Sequence, residues 1–325
     1  MTKNQLLKTP LCKLDLTMED SLVSDCIAQL KRELTSSGVH IDLIFWISDE
    51  WFCPDGTTGV AFPFYLLDQS LLDLEKEFIG HAEGETREYC MKLLRHEVAH
   101  AIDNAYSLRT CLERKTLFGD CSTPYPSEYT RRPFSKSFVK NLDHNYAQAH
   151  PEEDWAETFA VWLDPKSNWK RIYKDWPAIK KLNYVNKKMK ELKKENCIIC
   201  HETLDEISTL PITLRGYLNK RSKLLNKYKS PLFGRNLNRI FSVGSKRKAT
   251  QFLQTREREI CQKVAKSTNQ YHYIVRDVFK ELKLECKSKG LTLKKSSRET
   301  QRDLERLVTA KTFAYIKQGK HKVIM

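Results

Sequence analysis

The sequence predicts an α+β fold in two parts: an N-terminal part with a small sheet among helices, then a mostly α-helical, basic C-terminal part. Three observations predict this. Two runs rich in β-branched and aromatic residues, 40–48 (HIDLIFWIS) and 60–67, lie between stretches of helical period. From 171 onward the helical spacing recurs over 177–194, 214–228, 246–266, 271–289 and 299–317. Charge divides in the same place. Residues 1–170 hold 18 Lys+Arg against 27 Asp+Glu, a net of −9; residues 171–325 hold 38 against 14, a net of +24. The boundary is expected within 191–213, around Cys197 and Pro211, giving domains 1–190 and 191–325.

At 325 residues with 40% hydrophobic side chains, the chain can bury a sizeable core. No run approaches the roughly 18 apolar residues of a membrane span. The first sixteen residues, MTKNQLLKTPLCKLDL, carry no apolar core or small-residue cleavage site, so a secretory signal is not expected. The ten cysteines are scattered, which fits reduced thiols and a cytoplasmic location.

Each N-terminal element has its own signal. Residues 18–36 place Leu22, Ile27, Leu30 and Leu34 between charges, an amphipathic helix stopped by Ser37-Gly38. The strand at 40–48 follows. Pro54-Asp55-Gly56 is turn chemistry, and 60–67 is the second strand. A short helix is expected over 68–78 and a longer one over 85–106. Residues 110–145 (with STPYPSEYTRRPFSKSF) form a long irregular connection that can cover whatever lies beside it. A helix then begins at Pro151, a residue suited to the first helical position. Three carboxylates occupy its first turn, and it ends at Asp164-Pro165.

The chemistry centres on His96-Glu97-Val98-Ala99-His100, an HExxH motif on the 85–106 helix. Two imidazoles four residues apart share one helical face and can bind one Zn²⁺. Glu97 lies one step round the helix, where it can take a proton from an attacking water. The helix is flanked by Leu94, Val98, Ala101, Ile102 and Ala105 and is expected to be buried, and a buried helix does not carry two His and a Glu without partners.

A catalytic zinc site needs a third protein ligand. The acidic helix at 151 offers Glu153, with Glu157 one turn on as acceptor for a ligand imidazole. His150, Glu152, Asp154 and Glu157 are rival ligands, and acids in a first turn also simply favour the helix end. An oxyanion donor is expected from Tyr146 or His150, with His144 behind them.

The segments SDEWFCPDG, GVAFPFYL, LLRHEVAHAID and HPEEDWAETFAVWL resemble a bacterial family of zinc-binding metallopeptidases, over about residues 40 to 215. The second helix is also similar to gluzincins of the anthrax lethal factor type. That resemblance implies a zincin-like catalytic domain with Glu153 as ligand, the first of an ExxxE pair with Glu157. It also implies that Tyr146, seven residues earlier, assists the oxyanion. Peptide deformylase also uses HExxH, but with a Cys ligand in a Gly-Cys context that is absent here.

Two features stand outside that pattern. Cys197-Ile198-Ile199-Cys200-His201 matches a haem-attachment spacing but lacks the export context, and no second pair completes a zinc knuckle; plain thiols are the default. The basic half, with 246–248 (KRK), Lys294-Lys295 and Tyr271, Tyr273 and Tyr315, could contact nucleic acid, or could be a solvated helical face. The expected function is hydrolysis of amide bonds in a peptide or protein, with Zn²⁺ on His96, His100 and Glu153 and Glu97 as general base. The strand at 40–48 could pair with an extended substrate, by analogy. The alternative is a nucleic-acid-associated or scaffolding protein whose metal site is structural or inactive.

Overall fold

A computed structural model describes residues 2–195, 197–226, 232–244, 247–320 and 322–324. The α+β expectation holds: long helices dominate, and the sheets among the described residues are two-stranded. No described helix is long and apolar enough to cross a membrane.

The chain divides into two compact units, Met1–Leu225 with Ile324–Met325, and Asn226–Val323. This division lies later than the expected 190/191. Ile207, Leu214, Tyr217 and Leu218 are buried in the core of the first unit. The backbone of the same stretch clasps the N-terminal segment, with Leu11 N–H donating to Ile212 O (2.9 Å) and Leu214 N–H to Thr9 O (2.9 Å). Pro211 and the Cys197–Cys200 tract look like a linker in composition, yet they belong to a segment that returns to the core.

In the first unit, α1 (Leu22–Ser37) starts on a Ser21 capping box and stops at Gly38, whose φ of 72° is left-handed. Strand β1 (Ile44–Ser48) pairs in parallel with β2 (Gly59–Pro63), Ile44 opposite Gly59. The second strand ends four residues before the expected Leu67. Pro63 brings no N–H to the ladder, and Phe64–Leu67 turns instead. Helix α2 (Gln69–Ile79) is capped by the Asp68 carboxylate, and α3 (Arg87–Tyr106) by Thr86. Helix α4 (Pro151–Leu163) crosses α3, and Trp155 Nε1–H donates to Ala99 O at 3.0 Å. Helices α5 (Ile179–Glu191) and α6 (Leu214–Asn226) follow.

The 110–145 connection is less irregular than its composition implies. It holds a short helix, Leu112–Phe118, pinned through Arg114. That side chain is fully buried, pairs with Asp103 of α3, and lies 4.8 Å from the Trp155 ring.

The second unit packs α7 (Ala249–Thr268), α8 (His272–Ser288) and α9 (Ser297–Lys317) around Phe252, Val275, Phe279 and Leu304. A short antiparallel pair, β3 (Phe241–Val243) with β4 (Leu291–Leu293), accompanies them. Several of its basic side chains sit in ion pairs within the unit: Lys263 with Glu259 and Glu305, Lys283 with Glu257, Lys295 with Asp303. Tyr315 is buried in the core, so it does not stand among exposed bases; Tyr271 and Tyr273 stack on each other at 5.6 Å. Lys246 of the expected basic run lies outside the described residues.

Candidate metal centre

Nearly every side chain of α3 from Cys90 to Ala105 is buried, because the helix runs through the core rather than over it. Polar residues on such a helix need partners, and α4 supplies them. His96 Nδ1 lies 2.9 Å from Glu157 Oε1, and His96 Nε2 lies 2.9 Å from Glu153 Oε2. His100 Nε2 lies 3.6 Å from the same Glu153 oxygen and 3.3 Å from His96 Nε2. The fold thus gathers His96, His100 and Glu153, the three expected ligands, into one group.

These contacts fit a cation. The hydrogen-bond network assigns the His96 Nδ1 proton to Glu157, which also accepts from Asn141 Nδ2 (2.8 Å) and Leu142 N–H (2.8 Å). One proton on His96 Nε2 cannot serve both Glu153 Oε2 and His100 Nε2. Glu153 Oε2 is buried without a hydrogen bond. A tetrahedral zinc with ligands at about 2.0–2.2 Å sets its donor atoms roughly 3.3–3.6 Å apart. The observed separations of 3.3 and 3.6 Å fall at the ends of that range, and the His96–Glu153 separation of 2.9 Å is shorter.

The charges agree. Burial opposes an imidazolium at His96, but Glu153 and Glu157 outweigh it and hold its pKa well above the ordinary value. Burial alone would raise Glu153, but the two imidazoles hold it well below the usual carboxylate range. The pocket is therefore built to keep positive charge among two carboxylates. Glu97 is buried, and among the described residues its carboxylate has no hydrogen-bond partner. Burial raises its pKa, while His96 and His100 oppose the rise.

Tyr146 reaches the site through a distorted turn. His144 and Asn145 adopt φ of 58° and 59°, which reverses the chain and lays the Tyr146 ring 5.6 Å from that of His96. His150, the other candidate, has both ring nitrogens engaged outside the gathered group. Its Nδ1 accepts from Glu152 N–H (3.2 Å) as the cap of α4, and its Nε2 lies 2.7 Å from Thr123 O. Asp154 faces away, paired with Lys181, and Glu152 is held by Arg109 at 3.3 Å. The Cys197–His201 tract is elsewhere in the first unit, with Cys200 O accepting from Thr58 N–H (2.8 Å).

Residues 73–174 match a family model described as "Putative zinc-binding metallo-peptidase". The matched span holds every residue of the gathered group, together with Glu97, Tyr146 and Glu157. No curated protein and no solved structure matches the chain.

Within the matched span, two features lie beyond what the sequence signals. Asn141 and the Leu142 N–H, which fix Glu157, come from the connection read as irregular. The hydroxyl of Tyr125, from the same connection, lies 2.9 Å from both Glu152 Oε2 and Glu153 Oε1, with one proton to share between them. A tyrosine among Ser, Thr and Pro gives no sign of such a contact; only its place before an acidic helix could hint at it.

Proposed function

We propose that the first unit is a zinc-dependent peptidase, with Zn²⁺ held by His96, His100 and Glu153. The observation that carries this is the convergence of three lone-pair atoms beside a buried carboxylate, Glu97, that has no hydrogen-bond partner among the described residues. Bound there, Zn²⁺ would act as a Lewis acid toward a carbonyl and make a nearby water acidic.

The chain's own residues do the rest. Glu97 takes the proton of the attacking water and returns it to the leaving amine. Its raised pKa suits the first task, since the carboxylate of a weaker acid is a better base. The Tyr146 hydroxyl, also raised by burial and by the carboxylates around it, stays protonated and can donate to the oxygen that gains charge. Glu157 fixes the His96 tautomer that leaves Nε2 free. The substrate class is polypeptide, in keeping with the family description.

Metal content and peptide hydrolysis test this together. One zinc per chain is expected in the wild type and in Glu97→Gln, and loss of that zinc in His96→Ala and Glu153→Ala. Glu97→Gln should lower turnover of a mixed peptide pool by about 10²–10⁴-fold. A wild type that holds no zinc after purification without chelators would overturn the proposal.

A further inference from the structure

We infer that Tyr125 is a positioning residue for the metal ligand Glu153, as the last link of a relay that begins on α3. This inference rests on the proposed zinc site and adds a residue to it. The two oxygens of Glu153 have different tasks. Oε2 faces His96 and His100, at 2.9 and 3.6 Å, and Oε1 accepts from the Tyr125 hydroxyl at 2.9 Å. A carboxylate so fixed cannot turn its second oxygen inward, so it presents one oxygen to a cation.

Tyr125 is fixed in turn. Its ring stacks on His150 at 3.8 Å, and His150 caps α4 and holds Thr123 O. Its hydroxyl also lies 2.9 Å from Glu152 Oε2. One phenol proton now stands between two adjacent carboxylates, which would repel each other if nothing else held them. Arg109 offsets that repulsion, with Nη1 3.3 Å from Glu152 Oε1. Arg109 is itself anchored on α3 beyond His100: its N–H donates to Asp103 Oδ1 (2.9 Å) and its Nη2–H to Asn104 Oδ1 (3.0 Å). The path α3–Arg109–Glu152–Tyr125–Glu153 thus starts and ends on the two helices that carry the ligands. Among the ligands it reaches Glu153, through Oε1.

The test is zinc affinity, measured by competition with a chromogenic chelator on the full-length protein. Tyr125→Phe keeps the ring on His150 and removes only the hydroxyl. Zinc affinity should fall by about 10–100-fold, the usual effect of losing a partner of a ligand. Without the phenol proton the two carboxylates face each other directly. Glu152→Gln in the Tyr125→Phe background removes one charge and supplies an N–H, so it should recover most of the lost affinity. Thermal melting of both metal-free variants should match the wild type. Tyr125→Phe binding zinc within twofold of a tight-binding wild type would overturn the relay and leave the zinc site standing. So would a loss that Glu152→Gln does not relieve. A wild type that binds no zinc would overturn the site as well.

Discussion

His96 and His100 share a motif but not a surrounding. His96 is held through Nδ1 by Glu157 and turns Nε2 toward Glu153, whereas among the described residues the His100 ring nitrogens approach only the group itself. Removing the Glu157 carboxylate therefore acts through His96. Glu157→Ala should weaken zinc binding about 10–100-fold and leave Asn141 Nδ2 and Leu142 N–H without their acceptor. Chelator competition measures the first effect, and a lower melting temperature of the metal-free protein reports the second. At this scale the sequence is informative because HExxH fixes geometry through helix pitch alone, and Glu153 and Glu157 follow by the same four-residue step. The spacing does not choose among Glu152, Glu153 and Asp154. That choice comes from the angle at which α4 crosses α3, and with it the claims of Arg109 on Glu152 and of Lys181 on Asp154.

Helices α3 and α4 hold their relative position chiefly through Trp155, which is fully buried and donates to Ala99 O. Trp155→Phe keeps most of the packing and loses the hydrogen bond, at a cost of about 1 kcal/mol plus any penalty for leaving space. Trp155→Ala should cost about 3–5 kcal/mol. Urea unfolding of the metal-free protein checks both. On the far side of the unit, α2 meets α6 through Glu75 and Arg221, 3.2 Å apart. Burial pushes the Glu75 carboxyl from 4.5 up to about 7, against the pull of Arg221 and with some help from Glu83 and Glu50. A carboxyl raised on folding stabilises the fold below about pH 4.5, and that contribution is lost as pH rises through about 7. Stability of the metal-free wild type should thus fall across that window by an amount on the order of 2–3 kcal/mol from this group. Glu75→Gln should remove that part of the fall; an unchanged pH profile would show that Glu75 is ionised throughout. Most helices are legible in the sequence, because capping residues and apolar period agree at Ser21, Asp68, Thr86 and Pro151. The strands are less so. An apolar run such as 60–67 does not reveal where Pro63 ends the ladder, and the Arg114 anchor of Leu112–Phe118 is a tertiary contact with no local signature.

Among the described residues each unit has its own main hydrophobic core, the two share no residue, and a smaller cluster around Trp169, Tyr173 and Leu182 belongs to the first unit. Calorimetry should resolve two unfolding transitions. Zinc at a hundredfold excess over its Kd should stabilise the first unit by about 2.7 kcal/mol and leave the second unmoved. A shift of both transitions would mean that the units unfold together. Charge changes near residue 170, whereas the compact units divide at 225/226. The first unit runs past the point where charge changes, because 207–218 (ISTLPITLRGYL) buries Ile207, Leu214, Tyr217 and Leu218 in its core.

The clasp between Thr9–Leu11 and Ile212–Leu214 also bears on how the protein is made. On the ribosome the first helices emerge long before residue 214, and both histidines and both glutamates are available by residue 157. The strap arrives more than fifty residues later. A nascent chain can therefore display the whole metal-binding sequence while its N-terminal segment is still unfastened. A chain released at 190 should be digested readily by protease where one released at 226 resists, although the two carry the same motif.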